Sequence, residues 1–215
     1  ALEALGARCE IRRVPHPAPA ATTVARVAES RARAELGLAE GEVLFVFVGY
    51  VREYKGVDVL LEALARLGES GPRWRAVIAG EWYVDRTAAD RAVAAPPLAG
   101  RVRIDDRYLP AEDVARYLAA ATVVVLPYRS GTQSGVVPLA YAHGRGVVTT
   151  RVGGLDEAVR EGETGLLVAP GDPSALADAL ERVRQGLRFS PAAIDAMREG
   201  AGWAAFVRLL EQIAR

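Results

Sequence analysis

The sequence predicts an α/β fold, an open parallel six-stranded sheet with helices on both faces. Three observations predict it. Six short runs rich in β-branched and apolar residues (VLFVFVG, WRAVIAG, RVRID, TVVVLP, GVVTT and GLLVAP) are too short for helices and lack the strict alternation of a half-exposed strand. Helical patterns separate them. Each run together with its following helix has about the length of one βα unit, the rhythm of a parallel sheet built by right-handed crossovers.

The elements follow in order. CEIRRV reads as a short strand ending at PHPAP, and Pro15 to Thr23 is linker-like. Residues 24–38 read as an exposed helix. After the first core strand from Val43, VDVLLEALARLG puts Val57, Leu60, Leu61, Leu64 and Leu67 on one helical face. A polar, alanine-rich helix is expected around Asp85–Ala95. Another is expected over Ala111–Ala120, with Glu112 and Asp113 at its start as the helix dipole prefers. Asp172 and Pro173 mark an N-cap and first turn. A last helix is expected around Ala192–Ala214.

Composition excludes several classes. Of 215 residues 51% are hydrophobic and 25% charged, so the chain can bury a core. Its net charge of zero gives no basic footprint for nucleic acid. Cys9 is the only cysteine, and His16 and His143 are the only histidines, which argues against a disulfide or a protein-built zinc centre. No apolar run is long enough to span a bilayer, and no signal peptide is visible. The expected location is cytoplasmic, with room for peripheral association at the inner membrane face. The chain opens on ALEALG without an initiator Met, which suggests a fragment or processed form. Lys55 is the sole lysine among 27 basic residues. A chain that writes its positive charge as arginine everywhere else invites the question of what a compact ammonium does there.

The chemistry-bearing stretch is TVVVLPYRSGTQSGVVPLAYAHGRGVVTTRVGG, residues 122–154. It reads as strand, glycine-bearing loop, helix, strand and second glycine-bearing loop, with Gly153-Gly154 expected to open another helix. Such loops, at the carboxyl ends of consecutive strands, are where open α/β sheets bind ligands. Exposed amides at a helix start suit phosphate. A plain packing turn fits the same pattern. YVREYKG follows the first core strand and brings Arg52 and Lys55 toward the same edge, where two cations suit a diphosphate. Two solvated surface charges are the bland alternative.

Taken together, YVREYKGVDVLLEAL, VIAGEWY, RYLP, the 122–154 stretch and GETGLLVAPGDPSALADAL resemble, in order and spacing, the carboxy-terminal half of family-4 retaining glycosyltransferases (glycosyltransferase group 1) of the GT-B fold. The resemblance covers roughly residues 43–185. It implies a Rossmann-like nucleotide-sugar-binding domain over 43–188. Residues 1–42 would be a junction with a missing N-terminal acceptor-binding domain, and 189–215 a C-terminal helix packing back across the domain. It implies transfer of a sugar from a nucleotide-diphosphate sugar, such as a UDP- or GDP-sugar, to an acceptor hydroxyl, a hexosyltransferase-like activity with no cofactor and no metal. The fragment alone is expected to transfer little.

By position, Lys55 matches the family's diphosphate-binding lysine. The usual arginine follows the strand glycine directly, where Tyr50 stands, so Arg52 is the expected substitute. Arg107 and Tyr108 match the place where the nucleobase rests, and Ser134 and Gly135 the turn whose amides hold phosphates. Two family glutamates are replaced by Gly131 and Leu139. The second of them commonly binds both ribose hydroxyls, an interaction worth roughly 1–3 kcal/mol. Thr132 and Gln133 offer replacement hydrogen bonds. The other reading of the two losses is a non-catalytic nucleotide-binding or interaction module. A dinucleotide dehydrogenase is disfavoured, because GYVREYKG is not GxGxxG and only Glu81 stands near the second strand's end. His16 reads as a turn residue, His143 as structural, Trp82 and Tyr83 as packing, and Glu157 as favouring a helix start.

Overall fold

A computed structural model describes residues 27–68, 71–200, 207–208 and 210–212. Six parallel strands, β1 (Val43–Val48), β2 (Trp74–Ala79), β3 (Val102–Asp105), β4 (Val123–Leu126), β5 (Val147–Thr150) and β6 (Gly165–Val168), form one sheet in the order β3-β2-β1-β4-β5-β6. All six expected core strands are present. Every residue of β1 is buried, as befits a central strand covered on both faces. Its register pairs Val43 with Trp74 on one side and Phe45 with Val123 on the other.

The helices are α1 (Glu29–Glu35), α2 (Val57–Ala65), α3 (Thr87–Ala94), α4 (Ala111–Ala120), α5 (Val136–Ala142), α6 (Pro173–Arg184) and α7 (Pro191–Gly200). The sheet grows from β1 in one direction through β2 and β3, and from β4 in the other through β5 and β6. Right-handed crossovers therefore put α2 and α3 on one face and α4 and α5 on the other. α6 joins α2, while α1 packs on α4 and α7 on α5. The buried side of α2 carries Val57, Leu60, Leu61 and Leu64 as the helical spacing requires. Asp172 caps α6 by accepting from the Ser174 and Ala175 amides at 2.9 Å.

Some expectations are corrected. α1 and α3 are shorter than 24–38 and 85–95; Asp85 ends up outside α3, accepting from the Thr87 amide at 3.0 Å. Gly153-Gly154 opens no α-helix, only the three-residue 3-10 turn Gly153–Leu155, so Glu157 sits at no helix start. Of the last expected helix, around Ala192–Ala214, every described residue is helical: Pro191–Gly200, 207–208 and 210–212. The CEIRRV strand and the Pro15–Thr23 linker, with His16, lie outside the described residues.

Sheet order reverses between β1 and β4. Connections leave these adjacent strands toward opposite faces, which opens a crevice at their carboxyl ends. The loops after β1 and β4, two of the three singled out in the sequence, are the ones that flank it.

Candidate functional site

The two loops are joined by close backbone contact. Gly56, with φ +65°, starts α2 directly beneath the end of β4, and a Cβ there would overlap the carbonyl oxygen of Pro127. Both the left-handed backbone and the missing side chain are required. The Arg129 amide donates to the Tyr54 carbonyl at 2.7 Å. The Arg129 guanidinium donates twice to the Asp58 carboxylate, at 2.6 Å each, and so fastens the β4 loop to α2. That partner holds the Asp58 carboxyl below its ordinary range.

Inside this frame lies Lys55. Its Nζ is 3.7 Å from the centre of the Tyr128 ring and 5.1 Å from that of Tyr54. Among the described residues no carboxylate pairs with it. Burial without a counter-charge pushes its ammonium down to about 8. Tyr128 is 1% exposed. Its hydroxyl shares a hydrogen bond with Ser134 Oγ at 3.3 Å, and Ser134 Oγ accepts from the Val136 amide at 3.2 Å. Burial pushes the Tyr128 phenol up to about 12, so it stays neutral. The Tyr128 carbonyl accepts from the buried Thr150 hydroxyl at 2.6 Å. One aromatic side chain thus links the lone lysine of the β1 loop to the serine of the β4 loop.

The remaining predicted residues are distributed around this centre. Gly135 precedes α5. Thr132 and Gln133 are exposed in the loop. That loop is shaped by the Gly153 turn: the Gly154 amide donates to the Thr132 carbonyl at 2.6 Å, and a Cβ on Gly153 would overlap the Gly131 carbonyl oxygen. The second glycine-bearing loop therefore supports the first rather than forming a second cradle. Arg52 does not join Lys55 in contact. Its guanidinium lies 4.6 Å from the centre of the Tyr83 ring, which meets Tyr50 edge-on at 5.5 Å, and Arg52 lines the groove between α2 and α3.

Beside the crevice, Gly49, Gly80, Tyr108, Leu109, Val136 and Leu139 line a cleft of about 170 Å³. Tyr108 is 65% exposed, leaving a ring face for a planar ligand. The Arg107 side chain is already engaged, at 3.0 Å with Asp105 and 2.7 Å with Asp113, and these carboxylates raise its pKa further. Its guanidinium clamps β3 to α4, and Arg107 is not among the residues that line the cleft. A cavity of about 820 Å³ in the α2–α3 groove is reached by Arg52, Asp58 and Arg129 but lined by neither Lys55 nor Ser134. The convergence of cation, buried tyrosine and loop serine marks the site better than size does. His143 ends α5 away from Ser134, half-buried, and burial lowers its pKa. The lowered pKa favours the neutral ring. Trp82 packs in the groove as expected.

Sequence reasoning missed Tyr128 and the Arg129–Asp58 pair. The signal for the first was there: an aromatic residue directly after the proline that ends β4. The partner that makes Asp58 matter lies 71 residues away.

Comparison with known proteins decides the family. The sequence model for glycosyl transferases group 1 matches residues 42–185. The chain belongs to the group 1 glycosyltransferases. D-inositol 3-phosphate glycosyltransferases are similar to it: that of Nocardioides sp. is 36% identical over 173 residues, covering 74% of this chain and 38% of the relative. That of Catenulispora acidiphila is 33% identical over 200 residues, covering 86% and 47%. The chain thus spans less than half the length of these curated relatives. Among solved structures, sucrose-phosphate synthase from Thermosynechococcus elongatus matches with a TM-score of 0.78 and 26% identity, over all of this chain and 54% of its own. Anabaena HepE, solved in complex with UDP, matches with a TM-score of 0.81 at 19% identity, over 99% of this chain and 59% of its own, a likeness of fold. The Rossmann-like domain is that of GT-B glycosyltransferases. Among the described residues no helix is long and apolar enough to cross a membrane.

Proposed function

We propose that this chain is the donor-binding half of a retaining glycosyltransferase, working with an N-terminal acceptor-binding domain. Residues 43–188 would form the nucleotide-sugar domain, 1–42 the junction and 189–215 the returning helix. The observation that carries the reading is the placement of Lys55 against Tyr128, whose hydroxyl reaches Ser134 across the crevice. An unpaired, partly desolvated ammonium facing a glycine-rich loop is organised for an anion it does not yet hold.

In the proposed reaction, the acceptor hydroxyl oxygen bonds to the anomeric carbon as the bond from that carbon to the β-phosphate oxygen breaks; the bonding electrons leave with the diphosphate, which takes up the hydroxyl proton. Lys55 and the loop amides at Ser134 and Gly135 stabilise that charge where it develops. Arg52, held at the rim by Tyr83, adds positive potential there. Tyr108 and the backbone of Arg107 border the nucleobase, and Thr132 and Gln133 offer hydrogen bonds to the sugar or ribose. Protein cations carry this charge stabilisation, so the reading calls on no metal and no cofactor. The donor is a nucleotide-diphosphate sugar such as a UDP- or GDP-sugar, and the location is cytoplasmic, with peripheral contact at the inner membrane face.

Calorimetric titration with UDP, GDP, ADP and dTDP tests the reading. Saturable binding of one nucleotide, weakened at least tenfold in Lys55→Ala, supports it, and equal affinity in that variant sinks the phosphate assignment. The second reading, a non-catalytic nucleotide-binding module, is favoured by Gly131 and Leu139 at the positions of the two family glutamates. It predicts nucleotide binding without donor hydrolysis or transfer, even when the acceptor-binding domain is supplied.

A further inference from the structure

At the amino ends of the strands, the pole of the sheet opposite the Lys55 crevice, lies a cavity of about 400 Å³ lined by Glu42, Arg73, Trp74, Arg75, Arg101 and Arg184. Four guanidinium groups line this wall, and only two of them have a carboxylate partner among the described residues, although the chain as a whole carries no net charge. Glu42 does not cancel them all: its carboxylate takes Arg75 at 3.1 Å and the Ala39 amide at 2.9 Å. Arg184, 3% exposed, is anchored to the Gly68 carbonyl and to Glu181, both at 2.8 Å, so its charge in the wall is already paired. Arg73 and Arg101 make no ion pair among the described residues. The Arg101 guanidinium lies 5.3 Å from the centre of the Trp74 ring, which holds it over the cavity wall instead of letting it trail into solvent. Trp74 itself is 2% exposed, and its indole N–H and the Nε of Arg75 have no acceptor among the described residues.

The Trp74 and Arg75 donors have almost no surface open to the cavity, so the groups placed to meet a ligand are the Arg73 and Arg101 guanidinium forks, and an acceptor that is itself negative suits them. We propose that this cavity is a second ligand site, separate from the donor crevice, which binds a phosphate-type oxyanion through Arg73 and Arg101, the two guanidinium groups of its wall that no carboxylate pairs with among the described residues. Guanidinium forks match the tetrahedral oxygens of phosphate. The cavity is larger than one phosphate group, so a small phosphorylated molecule fits the chemistry. A phospholipid headgroup presents the same chemistry from another source.

Intrinsic tryptophan fluorescence of the 215-residue chain, titrated with inorganic phosphate and pyrophosphate at low salt, reads the site through Trp74. A saturable change is expected, weakened at least tenfold in the Arg73→Gln/Arg101→Gln double variant and retained in Lys55→Ala. Retention in the latter separates this site from the donor crevice. Both exchanged side chains reach solvent, and a melting curve checks that the double variant folds. Co-sedimentation with phosphatidylcholine vesicles, with and without phosphatidylglycerol, distinguishes the sources. Charge-dependent sedimentation lost in the double variant, without a response to soluble phosphate, assigns the site to lipid. A response to soluble phosphate without sedimentation assigns it to a small molecule. No saturable response in either assay overturns the proposal, as does a response unchanged in the double variant or abolished in Lys55→Ala.

Discussion

Replacing Lys55 with methionine should make the protein more stable and worse at binding diphosphate. The fall of the Lys55 ammonium from 10.5 to about 8 on burial corresponds to roughly 3 kcal/mol. Lys55 is only half-buried, and solvent screening reduces that to about 2 kcal/mol. The Tyr128 ring at 3.7 Å returns on the order of 1 kcal/mol by cation–π attraction. Desolvation wins by about 1 kcal/mol, a rise in Tm of roughly 2–4 °C for a chain of this size when the charge is replaced by an apolar side chain of similar length. The sign with pH follows from proton counting. Between about 8 and 10.5 the unfolded chain binds more protons at this position than the folded one, so parental stability rises with pH across that window. The advantage of Lys55→Met should therefore be greatest below pH 8 and shrink toward pH 10.5. Thermal melts of both proteins from pH 6.5 to 10.5, followed by far-UV circular dichroism, measure it. A variant less stable than the parent at pH 7, or a difference that does not change with pH, would refute the account of Lys55 as an unpaired, desolvated charge kept for a ligand.

Other changes test the frame around it. Tyr128→Phe removes the hydrogen bond to Ser134 and keeps the ring under Lys55. Nucleoside diphosphate affinity, read by calorimetry, should fall by a few-fold, in line with about 1 kcal/mol for one neutral hydrogen bond; an unchanged affinity would mean that the link does not order the loop. Gly56→Ala meets both a left-handed φ and the Pro127 carbonyl, so a loss of at least about 2 kcal/mol is expected in urea unfolding. Leu139→Glu places a carboxylate in the cleft beside Tyr108. Ribonucleoside diphosphates should bind about tenfold tighter while the 2′-deoxy forms gain little, and equal gains would separate this position from ribose recognition.

The fold was legible because its signal is local. Strands such as VLFVFV and VVVL are buried on both faces, and their apolar runs bound them to within a residue or two of the observed ends. Helix ends set by a residue's own neighbours, such as Asp172 before Pro173, were equally readable. Gly153-Gly154 was misread because its conformation serves a distant contact, the Gly131–Thr132 backbone, rather than a helix of its own. Lys55 stood out by rarity and Ser134 by its loop. What joins them is Tyr128, whose role depends on β1 and β4 being neighbours, and strand order is a property of topology that no local pattern carries. Arg52 shows the reverse case: position suggested a partner for Lys55, while side-chain packing sent it over Tyr83.

Lys55, as the sole lysine, gives a direct reading of the central claim. Lysine labelled with carbon-13 at Cε would yield one side-chain signal for the whole chain, and its shift can be followed through pH with and without nucleoside diphosphate. The account predicts a midpoint near 8 in the free protein that moves upward by at least one pH unit when the diphosphate binds, since an anion favours the charged form. A midpoint near 10.5 that ignores the nucleotide would contradict it.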